Sequence, residues 1–257
     1  MQPLPLSPSD TPAARFRRAY KLLATRRKLT PEFDAIHYMH ADSPEECLFM
    51  MPLSFHTRMF WNLGSIHSYM NWLFTADLHQ KYREYVDLLH VQQATDPTRR
   101  LVLKAPEHVD AIDALLDALP EAIVVQTHRD PVAQLASYLS LGETARSKST
   151  EHPQRDADIA TGVGLIETAI RRNAEARARY PGRVIDVRYN DLRRDPTGTV
   201  EEIYRRAGIE VSPALHGALA AHASENKHGK HGARRYNLAD YGLDAADIAQ
   251  RFADPLT

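Results

Sequence analysis

Two short apolar runs, each closed by polar residues and followed by helix-like sequence, constrain the fold of this chain more than any other feature. Leu101-Val102-Leu103 ends in Lys104-Ala105-Pro106. Val109, Ile112, Leu115, Leu116 and Leu119 then recur on one face of a helix predicted from Glu107 to Leu119, which Pro120 stops. The second run, Ala122-Ile123-Val124-Val125, lacks alternation and so reads as a strand buried on both faces. It closes with Gln126-Thr127-His128-Arg129, and Asp130-Pro131 supplies an N-cap and a first-turn proline for the next helix. A long charged helix over 156–180 leads to a third strand, Val184-Ile185-Asp186-Val187-Arg188. Strand–helix alternation of this kind predicts an α/β domain with a central parallel sheet and right-handed crossovers.

The rest of the chain reads as helix-rich. Residues 1–10 are rich in Pro and Ser and are read as disordered. Thr11-Pro12 opens a helix through about Leu29, whose many Arg and Lys residues read as a solvated face. Residues 44–95 read as mostly helical and hold Trp61 and Trp72, read as core aromatics rather than pocket walls. Residues 222–235 read as a loop. No repeat or linker divides the sequence, so residues 1–257 are expected to form a single domain.

Composition narrows the function classes. The formal net charge of −1 gives no general attraction to nucleic acid, so any anion site must be a local cluster. The lone Cys47 allows no internal disulfide and suits a reducing compartment. No stretch resembles a signal peptide or a membrane span, which predicts a cytoplasmic protein without membrane or nucleic-acid partners. His37 with His40, and His228 with His231, stand three apart, but neither pair has further ligands, and no metal is expected.

Ligands of open α/β sheets bind beyond the carboxyl ends of the strands. Those ends carry Lys104 with His108, Thr127-His128-Arg129, and Arg188-Tyr189-Asn190-Asp191. Helix starts at Glu107 and Asp130 bring free N–H groups to the same edge, which suits an anion. Arg129 precedes one helix start, and Ser137 lies eight residues on, about two turns into that helix. An arginine fork with a hydroxyl is phosphate-binding chemistry.

The segment LVLKAPEHVDAIDALLDALPEAIVVQTHRDPVAQLASYLSL resembles bacterial sulfotransferases that use 3′-phosphoadenosine-5′-phosphosulfate (PAPS). The resemblance implies a P-loop-like three-layer α/β fold. It also implies that Arg129 and Ser137 bind the 3′-phosphate of the co-substrate, and that Tyr189 lies near the adenine. Lys104 and His108 match the catalytic neighbourhood, with His108 as general base and Lys104 stabilising charge. The segment HGKHGARRYNLADYGLDAADIAQRF is similar to the family's C-terminal part, so that Lys227, Lys230 and Arg234 are expected to close over the phosphates. The Pro44-Glu45-Glu46-Cys47 segment, preceded by His37 and His40, fits the same subgroup.

The sequence departs from the family pattern in one respect. Relatives begin with a strand and a loop of type P-[KR]-[ST]-G-T-[TS], which holds the 5′-phosphosulfate; this chain has no glycine before Gly64 and no such loop elsewhere. A fold without the first strand and its loop is therefore expected. The implied function is sulfuryl transfer from PAPS to a hydroxyl or amine of a small-molecule acceptor, without a metal. The alternative is a relative that binds 3′-phosphoadenosine nucleotides, or a partner, without catalysis.

Overall fold

The Thr11 hydroxyl accepts a hydrogen bond from the Ala14 amide at 3.2 Å, and Pro12 occupies the first turn of α1 (Pro12–Leu29). The computed structural model describes residues 10–31, 34, 37–94, 96–147, 149–226 and 236–253. The first ten residues, apart from Asp10, and the basic segment 227–235 therefore lie outside it.

Further along, the 3₁₀ turns Cys47–Phe49 and Met51–Ser54 lead into α2 (Met59–Leu63), α3 (His67–Leu73) and α4 (His79–Gln93). The helical expectation for 44–95 holds. Its aromatics divide: Trp61, Tyr82 and Tyr85 are fully buried in the largest core cluster, with Met51, Met70, Leu115 and Leu165, whereas Trp72 stays 45% exposed.

The first expected strand does not form. Residues 101–103 have no regular structure, and Val102 is 85% exposed. A strand is stabilised by a ladder partner, and among the described residues no strand lies beside this segment. Its neighbour is instead the turn at Cys47, whose amide donates to the Lys104 carbonyl at 2.8 Å. The helix expected from Glu107 to Leu119 is also broken. Pro106–His108 form a 3₁₀ turn, Ala111 adopts φ −149° and ψ 34°, and only α5 (Ile112–Ala118) is α-helical. Glu107 lies in this break, its buried carboxylate anchored to Thr57, the Arg58 amide and Lys81 of other elements.

The sheet among the described residues has two parallel strands, β1 (Val124–His128) and β2 (Val184–Arg188), in register from Val124 with Val184 to His128 with Arg188. β1 starts two residues later than the apolar run suggests. It is not buried on both faces, since Val125 is 43% exposed and Thr127, on the same face, is exposed as well. The crossover between the strands consists of α6 (Pro131–Arg146) and α7 (Arg155–Arg179). α5 and α7 cover the sheet through Ile112, Leu116 and Ala176, against Val124 and Val184. Beyond β2 come α8 (Tyr189–Arg194), α9 (Pro196–Arg206) and α10 (Pro213–Glu225), so helix rather than loop occupies the start of the 222–235 segment. A 3₁₀ turn, Leu238–Tyr241, and α11 (Ala245–Arg251) return to α6, where Leu238, Tyr241, Ile248 and Phe252 pack on Leu135 and Leu139. Among the described residues no helix is long and apolar enough to cross a membrane.

Candidate functional site

The parallel register that pairs His128 with Arg188 makes the chain leave both strands side by side, at Arg129 and at Tyr189. The Arg129 guanidinium lies over the Tyr189 ring, 5.1 Å from its centroid, a cation–π contact that fixes the plane of the fork. Asp130 caps α6 by accepting from the Ala133 amide at 2.7 Å, and Ser137 follows on that helix. Arg129 Nη2 also donates to the Tyr236 phenol at 3.1 Å. Burial alone raises the Tyr236 pKa. Hydrogen bonds from Ser137 and Arg129, with the guanidinium charge, more than offset this and hold the phenol below its ordinary value.

Arg129, Ser137 and Tyr189 are thus brought together as the sequence suggested, and Tyr236 joins them from 107 residues away. Sequence reasoning passed over Tyr236 because nothing in Arg235-Tyr236-Asn237 distinguishes it from a packing tyrosine. The chemistry of the group suits a phosphate. The Arg129 guanidinium donates to the phenol Oη and the Ser137 hydroxyl lies beside the same oxygen, so that guanidinium, hydroxyl and phenol gather at one point where an anion can be met. Lys227, Lys230 and Arg234, and with them His228 and His231, lie outside the described residues.

The strand ends are braced from behind. Buried His128 bonds Asp186 through Nε2 at 2.8 Å, and Arg177 clasps the same carboxylate. Burial works against the Asp186 charge, but these two partners hold its pKa below the ordinary carboxylate range. A cleft of about 490 Å³ opens beside the end of β2, lined in part by Arg188, Asp191, Arg194 and Arg206.

The second predicted group sits on the segment before α5. Lys104 forms an ion pair with Glu46, which the Cys47–Lys104 backbone bond brings alongside. Glu45 in turn bonds His37 Nε2 at 2.8 Å. Glu46 is a residue that the sequence placed only in a family-like segment. The helix start expected at Glu107 is absent; the Glu107 carboxylate, 2% exposed as a residue, instead accepts from Thr57 Oγ1 at 2.7 Å, the Arg58 amide at 2.8 Å and Lys81 Nζ at 2.7 Å. Burial opposes its charge, yet Lys81 and Arg58 keep its pKa below the usual value.

His108 touches this network. Its Nδ1 shares a 2.8 Å hydrogen bond with the Tyr82 hydroxyl, and its enclosed Nε2 has no partner among the described residues. Burial, aided by the Lys81 charge, lowers its pKa to about 4, so the ring is neutral at neutral pH. Among the described residues, no hydrogen bond or ion pair links Lys104 or His108 to the Arg129 group, and no three His, Cys, Asp or Glu side chains converge as metal ligands.

Comparison with known proteins places this geometry. The family model described as "Sulfotransferase family" matches residues 3–213. The chain is 26% identical over 231 residues to omega-hydroxy-beta-dihydromenaquinone-9 sulfotransferase Stf3 of Mycobacterium bovis, covering 79% of this chain and 60% of that protein; the Mycobacterium tuberculosis protein of the same name matches equally. Sulfotransferase STF1 of Mycobacterium tuberculosis superposes with a TM-score of 0.79 at 32% identity, over 93% of this chain and 62% of that one. STF9 of Mycobacterium avium gives the same TM-score and coverage at 25% identity. The chain spans about three fifths of the length of these relatives. With the family model covering most of its length and the same P-loop-like α/β fold as these enzymes, the chain belongs to the sulfotransferase family.

Proposed function

We propose that the protein binds PAPS through its 3′-phosphate and takes part in sulfuryl transfer to the hydroxyl or amine of a small-molecule acceptor. The observation that carries this reading is the convergence of Arg129, Ser137 and Tyr189 at the carboxyl end of β1 and β2. Arg129 and Ser137 hold the 3′-phosphate, and the Tyr189 ring lies beside the adenine. The Stf3 relative is named for a hydroxylated menaquinone acceptor, which favours a hydroxyl. PAPS supplies the sulfuryl group: the bond from sulfur to the 5′-phosphate oxygen breaks, a bond to the acceptor oxygen forms, and the acceptor loses a proton. Lys104 offers an ammonium to the charge that builds on the leaving phosphate. His108 is assigned the proton on the resemblance; its ring is neutral at neutral pH and leaves Nε2 unpartnered, though enclosed, so the acceptor must open the site to reach it. Lys227 and Lys230 are assigned to the phosphates on the resemblance alone.

The test measures binding, which does not depend on turnover. Arg129→Ala is expected to weaken adenosine 3′,5′-bisphosphate by at least about tenfold, because charge-assisted hydrogen bonds contribute roughly 1.5–3 kcal/mol each and 1.4 kcal/mol is one decade. Adenosine 5′-phosphate, lacking the 3′-phosphate, should change much less. Titration calorimetry with both nucleotides reads the difference, and equal losses for both would reassign Arg129 to structure.

A further inference from the structure

We propose that Tyr236 is a binding residue of the same anion site, giving its phenolic proton to the 3′-phosphate while its oxygen keeps Arg129 oriented. This rests on the reading of Arg129 and Ser137 as phosphate ligands. The phenol oxygen receives the Arg129 Nη2–H at 3.1 Å and lies in hydrogen-bonding contact with Ser137. A phenol has one proton to give; Arg129 can only donate to the oxygen, and the one described neighbour that could take the proton, the Ser137 hydroxyl, can equally turn its own proton to an anion. A guanidinium has five N–H groups. One of them on Tyr236 leaves others for a phosphate, so the anion can enter without expelling the tyrosine.

The position of the ring is fixed independently of any ligand. It packs against the apolar cluster of Leu135 and Leu139, on the helix that also carries Ser137, and Val163 of α7. The next residue, Asn237, forms a reciprocal cap with Asp240, its side chain accepting from the Ala239 amide at 3.1 Å and its own amide donating to Asp240 at 3.3 Å. Leu238, 2% exposed, pins the turn to the core.

Tyr236→Phe removes the oxygen and keeps the ring, and it is tested by calorimetry on the 257-residue chain with adenosine 3′,5′-bisphosphate and adenosine 5′-phosphate. The expected result is about tenfold weaker binding of the bisphosphate, unchanged binding of the monophosphate, and an unchanged thermal midpoint. Bisphosphate binding that is unchanged or tighter in the variant overturns the role of Tyr236 while leaving Arg129 in place; tighter binding would make the phenol a plug. Equal weakening of both nucleotides assigns the hydroxyl to structure and also overturns the proposal. A wild-type protein that does not prefer the bisphosphate overturns the phosphate site itself, and this inference with it.

Discussion

Glu107→Ala is expected to destabilise the protein by about 3–5 kcal/mol, the range seen when one partner of a buried ion pair is removed. The carboxylate is bonded by Lys81, Thr57 and the Arg58 amide, and the Lys81 and Glu107 side chains are each only 3% exposed. Without Glu107 the ammonium of Lys81 is left buried beside Arg58, and the hydroxyl and amide lose their acceptor. The break in the chain between Pro106–His108 and α5 depends on the same anchor, so the segment bearing Lys104 and His108 loosens as well. Urea denaturation followed by circular dichroism measures the change. Replacing both charges together, Lys81→Met with Glu107→Leu, should recover much of the loss, because a well-packed apolar pair costs less than one unpaired charge. A loss below about 1 kcal/mol for Glu107→Ala would show that water reaches the site.

Acid is expected to weaken the fold through His108 before it reaches the carboxylates. The folded pKa of about 4 lies below the ordinary histidine value of 6.5, so the unfolded chain takes up a proton that the folded protein refuses. The stability contributed by the neutral ring is therefore complete above about pH 6.5 and is lost as the pH falls from there to about 4. A shift of this size corresponds to about 3 kcal/mol. Glu107, whose folded pKa is lowered, adds stability that is present above its unfolded value and lost as the pH falls through the folded one, so its loss follows at lower pH. His79 works in the opposite sense: its pKa is raised, chiefly by its hydrogen bond with Asp77, and it gains rather than loses on acidification. Comparing wild type with His108→Gln at pH 7, 5.5 and 4.5 isolates the ring. The gap between the two should narrow as the pH falls, and parallel profiles would refute the burial of a neutral His108.

What was legible in the sequence follows from local rules. Thr11-Pro12 and Asp130-Pro131 start α1 and α6 where capping chemistry places them, and Val184–Arg188 forms the third apolar run's strand without a residue of error. The Arg129–Ser137 pair was readable because both residues belong to one strand–helix unit, where an eight-residue offset has a fixed meaning in space. Tertiary structure decided the rest. Leu101-Val102-Leu103 is as apolar as the other runs, but a strand exists only against a partner, and here the Lys104 carbonyl meets the Cys47 amide instead. Glu107 reads as a helix start, yet its carboxylate is buried because Thr57, Arg58 and Lys81, 26 to 50 residues away, converge on it. Tyr236 reaches Arg129 only because the C-terminal turn packs its apolar residues back onto α6. Periodicity and caps act over a few residues and are written into the chain; long-range hydrogen bonds and burial belong to the packed fold, and no single segment records them.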